Sequence, residues 1–475
     1  MKILFAAAEI APLTKVGGLA DVIRSLPAEL VKMGHQARVI VPKYGFVDYS
    51  AYETATVVRD LIVFSLSEYR KVTLEQIALD GVPVYLLSAD IFSKSDRVYG
   101  SDEVEKFWVF CDCVNQSLPY LGWKPEIVHC HDWHTALLPL LLRTGRSDCR
   151  SVFTIHNMRY QGYFDDRTLQ RSGMGQYWYS RAGLTDLPLN FMVQGLLWSH
   201  VINAVSENFA REILGAEYGC GMQAFTDFRR DSLFGIINGV GHDEYDPGND
   251  PLIATNFNAA NTAGKSANRT RLLDMVGWKP RVEAPIVGMV SRLDEQKGMD
   301  IIINAIPEVI KSTGLQFIFV GRGKEYYEEA LLQLESRHPG NVRAYITYDN
   351  TRAHLIYAGS DLFLMPSLWE PCGLGQMIAM RYGTLPVVRN TGGLADTVHN
   401  LSNDLEQGTG FVFSEYSAKA LAFTLKKAAE AFNNKAAWQR AVKRVMEQDF
   451  SWHGPARRYQ ALYRRALELK TDGPL

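Results

Sequence analysis

The sequence has no apolar run approaching the ~20 residues that a membrane-spanning helix needs. Its start leads straight into a strand-like run, Ile3 to Ala8, without the charged and apolar regions of a secretory signal. The expected location is the cytoplasm, or a plastid stroma where a transit peptide has been trimmed. Positive charge is not in excess either. The 50 Lys and Arg against 52 Asp and Glu leave a net charge of -2, so neither nucleic acid nor a membrane is an expected partner. Six cysteines in 475 residues, at 111, 113, 130, 149, 220 and 372, form no disulfide framework and read as reduced thiols. Cys111 and Cys113 lack the spacing of a zinc or redox pair and fall in a helical pattern, as core residues do. Low-complexity segments and long linkers are missing. So are a Gly-x-Gly-x-x-Gly dinucleotide fingerprint in the first glycine loop and, anywhere in the chain, a metal-holding Asp-x-Asp.

What is present is a core-forming composition, 47% hydrophobic and 21% charged, in a chain long enough for two large domains. In the first half, strand-like runs at 37–41, 127–131, 152–155 and 201–205 alternate with helical text, and 57–87 is rich in β-formers. This predicts an α/β domain with a parallel sheet. After Lys15 to Asp21 the pattern predicts a short turn and then a helix entered at Pro27 and ending at Gly34. A last strand is expected over Gly235 to Val240. The stretch from Gly241 to Glu283, rich in Asn, Asp, Gly and Pro, is expected to hold the domain boundary. Strands at 285–291, 316–320, 342–346, 361–365 and 384–388, again separated by helical text, predict a second doubly wound sheet. The expected domains are 1–243, 244–450 and a basic amphipathic helical segment, 451–475, that crosses back to the first domain.

Lys15-Val16-Gly17-Gly18-Leu19-Ala20-Asp21 lies between a strand pattern and a helix pattern, which is a phosphate-binding arrangement. Adjacent glycines admit a ligand to the backbone, and a helix start presents N–H groups. A Gly-Gly pair in that place is also an ordinary tight turn. The same five letters, Gly-Gly-Leu-Ala-Asp, return at 392–396 after another strand-like run, and two domains closing these loops on one anionic ligand is the expectation. His129, His131, Asp132, His134, His156 and Asn157 follow strand ends, where open α/β sheets bind ligands. No carboxylate or cysteine completes an obvious metal set there and Asp132 points to hydrogen bonding, so no metal is expected, and His129 reads as a satisfied core histidine. Arg292 and Lys297 follow the first strand of the second domain, and with Lys15 they make three positive charges suited to a diphosphate. Glu370, Cys372 and Gly373, in Trp-Glu-Pro-Cys-Gly-Leu-Gly, add a carboxylate for sugar hydroxyls beside N–H donors for phosphates.

Together, Lys-Val-Gly-Gly-Leu-Ala-Asp at 15–21, His-Asp-Trp-His at 131–134, Thr-Ile-His-Asn at 154–157 and Asn-Gly-Val at 238–240 run in order with three further motifs. These are Ser-Arg-Leu-x-x-Gln-Lys-Gly at 291–298, Glu-Pro-Cys-Gly-Leu at 370–374 and Thr-Gly-Gly-Leu-Ala-Asp-Thr-Val at 391–398. The whole set resembles the bacterial glycogen synthase and plant starch synthase family. The resemblance implies two Rossmann-like doubly wound domains facing across a cleft (GT-B type). It also implies a retaining glucosyltransferase that moves glucose from ADP-glucose to the non-reducing 4-hydroxyl of an α-1,4-glucan, without a cofactor. Carried over, Lys15, Gly17 and Gly18 would hold the donor phosphates, and Asp132 and His156 would touch the transferred glucose or the acceptor. Arg292 and Lys297 would clamp the diphosphate, Glu370 would bind sugar hydroxyls, and Cys372 would line that pocket. Gly373, Leu374, Thr391, Gly392 and Gly393, with Asn238, complete the donor set, and Tyr348 would stack on adenine. Association with a glucan granule is a further implied partner.

Four places depart from the commonest family pattern: Gly241 for Asp, Gln194 for Lys, Gly375 for Thr, and Leu368-Trp369 for an Arg-aromatic pair. Three rivals remain at this point. A glucan phosphorylase would carry pyridoxal phosphate on a lysine, a UDP-glucose-dependent synthase differs only in the base pocket, and a glucan-binding regulatory relative is suggested by Gly241 and Gln194.

Overall fold

The computed structural model describes residues 1–178, 188–241, 244–279 and 284–469. Contacts divide the chain into two units, Met1–Gly239 with Trp452 onward, and Val240–Ser451. The expected boundary at 243/244 follows directly on residues 242 and 243, which lie outside the described set. The chain leaves the first unit after Gly239 and returns to it at Trp452.

The first unit holds a nine-stranded sheet. Its strands are β1 (Lys2–Ala6), β2 (Gln36–Pro42), β3 (Ala55–Ser65), β4 (Glu68–Leu79), β5 (Val82–Ser88), β6 (Ile127–His131), β7 (Arg150–Ile155), β8 (Val201–Ala204) and β9 (Leu233–Gly235). They lie in the order β3-β4-β5-β2-β1-β6-β7-β8-β9. The sheet is not wholly parallel, because β4 runs antiparallel to both β3 and β5. Two-residue turns explain this. Leu66-Ser67 and Asp80-Gly81 all have positive φ, the backbone of a tight hairpin, and so short a link cannot return a parallel strand.

Odd-numbered residues of β1 and β2, Ile3, Phe5, Val39 and Val41, face the helices Gly18–Lys32 and His453–Glu468, whose Leu26, Leu30, Tyr459 and Tyr463 are buried in the same core. The first of these helices is continuous, and Pro27 lies inside it rather than at its entrance. An interior proline costs ~3 kcal/mol. Burial of Leu26 and Leu30 on either side, at about 2 kcal/mol each, offsets that cost. The expected strand over Gly235 to Val240 ends at Gly235. The chain turns out of the sheet there, and Gly239 packs on the Trp452 backbone, where a Cβ would come within 2.8 Å.

The second unit holds six parallel strands, β10 (Ile286–Val290), β11 (Gln316–Gly321), β12 (Val342–Ile346), β13 (Leu362–Met365), β14 (Leu385–Arg389) and β15 (Phe411–Phe413), in the order β12-β11-β10-β13-β14-β15. The stretch expected to be only a boundary contains a helix, Ala263–Val276. Its buried hydrophobes, Leu272, Leu273 and Val276, are confined to its C-terminal half, and ahead of them a buried Asn268 anchors it. Asn268 accepts from Ala254 N–H and donates to Thr255 and Gly264 carbonyls.

Among the parallel strands of each sheet the order reverses once, at β1/β6 in the first and β10/β13 in the second. Ligands of open α/β sheets bind beyond the carboxyl ends of strands at such a reversal. The segments that follow those strands carry most of the residues singled out above.

Candidate active site

In the first unit the loop after β1 runs to an extended Gly17, which precedes a helix starting at Gly18 with no side-chain cap. Its amides are not all open to a ligand. Glu9, 2% exposed, accepts from Val16 N–H at 2.6 Å and Gly17 N–H at 3.3 Å, and Tyr99 donates its hydroxyl to the other oxygen at 3.2 Å. Burial pushes the Glu9 carboxyl up to about 7, against the pull of those three hydrogen bonds. Lys15 pairs with Asp21 of the first helical turn at 2.7 Å.

The loop after β6 is held in the same manner. Asp132 accepts from the backbone N–H groups of His156 and Asn157, at 3.0 and 3.3 Å, and so ties it to the loop after β7. Its backbone is at φ 59, ψ -179, a region other residues leave to glycine and one that costs ~1–3 kcal/mol. Burial, the largest effect, and the nearby Glu9 charge push the Asp132 carboxyl up to about 7. His156 Nε2 lies 2.9 Å from His131 Nδ1, and burial lowers the His156 pKa to about 3, so that imidazole is neutral. His129 is a satisfied core histidine, with Tyr463 and Thr154 hydroxyls at 2.9 and 2.7 Å. Asn238 is buried, and its Oδ1 has no partner among the described residues.

In the second unit the sequence-predicted residues converge. Lys297 Nζ sits 2.5 Å from Glu370, in a pair whose side chains are 17% and 8% exposed, and Ser367 donates to the same carboxylate at 3.0 Å. Arg292 pairs with Asp294 at 2.8 Å and donates to Gln296 at 2.8 Å. All three cations expected to await a diphosphate therefore carry carboxylate partners. The turn at Glu370–Gly373 lies directly against Gly392 and Gly393. A Cβ at Gly392 would come 1.9 Å from the Glu370 carbonyl, and one at Gly393 would come 2.1 Å from that of Cys372. Gly393 N–H donates to the Glu370 carbonyl at 3.0 Å. Gln376 ties the turn down, donating to Cys372, Gly373 and Thr397. Leu374 precedes the helix Gly375–Arg381 and Thr391 the helix Gly392–Thr397. Tyr348 stands apart on the segment after β12, 76% exposed.

The departures have definite surroundings. A Cβ at Gly375 would come 2.9 Å from the Phe363 ring, so this core has no room for threonine. Leu368 is held through its backbone, by Gln296 and Arg389. Gln194 is fully buried with neither amide atom partnered among the described residues, and Gly241 is half-buried. Glu9, Tyr99 and Ser367 were not among the expected site residues. The signal available for Glu9 was a lone carboxylate in the apolar run Ala6-Ala7-Ala8-Glu9-Ile10-Ala11. Among the described residues no helix is long and apolar enough to cross a membrane.

Comparison with known proteins agrees with this geometry. Residues 2–227 match the starch synthase catalytic domain family, and residues 274–445 match glycosyl transferases group 1. The chain is 40% identical over 483 aligned positions to glycogen synthase 2 of Geobacter sulfurreducens, covering 99% of this chain and 100% of the relative. It is 39% identical, with the same coverage, to the glycogen synthase of Geotalea daltonii. Among solved structures it is similar to the catalytic domain of starch synthase IV from Arabidopsis thaliana bound to ADP and acarbose. The TM-score is 0.89 at 31% identity, over 98% of this chain and 99% of the other. At 16% identity and TM-score 0.61, a sucrose-phosphate synthase from Thermosynechococcus elongatus shares the fold.

Proposed function

The chain belongs to the family of bacterial glycogen synthases and plant starch synthases, which are glycosyltransferases, and we propose that it transfers glucose from ADP-glucose to the non-reducing 4-hydroxyl of an α-1,4-glucan with retention of configuration. The observation that carries the reading is the buried Lys297–Glu370 pair set against the Cys372–Gly373 and Gly392–Gly393 turns. It offers a cation, a carboxylate and backbone donors within one small region. A sugar diphosphate uses all three, since its phosphoryl oxygens take cations and N–H groups and its hydroxyls take carboxylates. Arg292 and Lys297, with Lys15 and Gly18, meet the diphosphate, and Thr391 and Gly393 add to its cradle. Glu370 and Cys372 meet the glucose, as Asp132 and His156 do. Tyr348, exposed and unencumbered, stacks on the base. The ADP in the starch synthase IV structure supports an adenine nucleotide.

In the reaction, the bond from glucosyl C1 to the diphosphate oxygen breaks while the acceptor 4-oxygen bonds to C1 on the same face. The acceptor proton passes to the departing phosphate. His156 does not act as nucleophile: a glycosyl-enzyme intermediate calls for a carboxylate beneath the sugar, and its Nε2 is engaged by His131 at 2.9 Å. The protein's contribution is placement of the two oxygens and stabilisation of charge on the leaving group, by cations rather than a divalent ion. Transfer of labelled glucose onto glycogen from ADP-glucose and from UDP-glucose tests this. A kcat/KM favouring ADP-glucose by ~10-fold or more is expected. Equal efficiency overturns the adenine preference, and no transfer from either overturns the activity.

A further inference from the structure

The donor loop of the first unit was expected to present a row of amides to an anion, yet two of them are turned onto the protein's own carboxylate. Glu9 Oε2 accepts from both Val16 and Gly17, and its other oxygen accepts from Tyr99. None of the described lysines, arginines or histidines forms an ion pair with Glu9, so these three donors are what balance the buried group. The first-turn amides of Gly18, Leu19 and Ala20 have no acceptor among the described residues. Glu9 thus divides the loop into amides used for its own shape and amides left over.

We propose that Glu9 is a positioning residue for the donor-phosphate loop: by holding the Val16 and Gly17 amides it fixes the turn that presents Lys15 and the Gly18 amide to a diphosphate. The role rests on the function proposed above, but it makes a claim of its own about which amides a phosphate does not use. Geometry, not charge, is what Glu9 supplies. A single acceptor oxygen placed between two consecutive N–H groups is enough, and a carboxylate one methylene shorter cannot reach both. The contact is local, because among the described residues Tyr99 is the one side chain that bonds to Glu9, and it lies against His134, with ring centroids 5.0 Å apart.

The test uses the full chain with Glu9→Gln, Glu9→Asp and Glu9→Ala. Two readouts are taken, amide hydrogen exchange of residues 15–18 and the separate KM values for ADP-glucose and glycogen. Glu9→Gln keeps the acceptor oxygen and is expected to stay within ~3-fold of the parent in loop exchange and donor KM. Glu9→Asp and Glu9→Ala are expected to speed Val16 and Gly17 exchange by ~10-fold or more and raise the donor KM by ~10-fold, with β1 exchange and the glycogen KM unchanged. Glu9→Gln as impaired as Glu9→Asp overturns the proposal, and so does unaltered loop exchange in Glu9→Asp. Should Glu9→Ala fail to fold, the Gln and Asp pair still decides. A chain that transfers no glucose at all defeats the proposed function, while the exchange data still report on Glu9.

Discussion

Lys297 has a carboxylate at 2.5 Å and little water around it, so its replacement has two separable effects. Lys297→Ala is expected to lower kcat by ~100-fold, the scale of one lost transition-state donor. It is also expected to cost about 3 kcal/mol of stability by leaving Glu370 buried and unpaired. The double variant Lys297→Met with Glu370→Gln should recover the stability and not the activity, as read by urea denaturation and glucose transfer. Recovery of both would show that the pair is structural. The same residues show how much of the site was legible. Lys297, Glu370, Cys372 and the Gly392–Gly393 pair are close in the fold because each follows a strand end, and strand ends can be read from apolar runs. Which charges neutralise one another cannot be read that way. Lys15 with Asp21 and Arg292 with Asp294 are set by side-chain reach close along the chain, and Lys297 with Glu370 by reach between the segments after β10 and β13. Glu9 escaped notice because two of its three partners are backbone amides, which no sequence letter marks.

Gly298 shows what an element boundary demands. It sits between the 3-10 turn Glu295–Lys297 and the helix Met299–Thr313 at φ 75, and a Cβ there would lie 2.3 Å from the Pro366 carbonyl. Gly298→Ala is expected to destabilise the chain by ~2–3 kcal/mol and, through the adjoining Lys297, to raise the donor KM. Unchanged denaturation and KM would contradict this reading. Elements of this kind were the most legible part of the chain. β11 falls within a residue of the expected 316–320, because a central parallel strand is a continuous buried run. The misses have physical causes. The β3–β4–β5 hairpins hid within β-rich text although Asp80-Gly81 is a hairpin signal, and the buried hydrophobes of the helix Ala263–Val276 are confined to its C-terminal half, with an asparagine buried ahead of them. Pro27 reads as a helix entrance and is overruled by tertiary burial of its neighbours.

At the scale of the molecule, the first unit is discontinuous and the second is not. Val240–Ser451 is expected to fold alone and unfold cooperatively. Residues 1–239 lack Trp452, Tyr459, Leu462 and Tyr463, all buried in the first core, and lose the Tyr463 hydroxyl that His129 uses. That fragment should show no sharp thermal transition until a peptide of residues 452–475 is added, and a sharp transition without the peptide would refute the dependence. The returning helix His453–Glu468 also has a consequence in time. The 212 residues from 240 to 451 must be synthesised between the body of the first unit and the helix that covers it. At ~5–20 residues per second this takes ~10–40 s. On the ribosome the part of the sheet that this helix covers, around β6, β7 and β8, therefore stays uncovered while the unit made second can finish folding, and that face becomes the surface that a chaperone must shield.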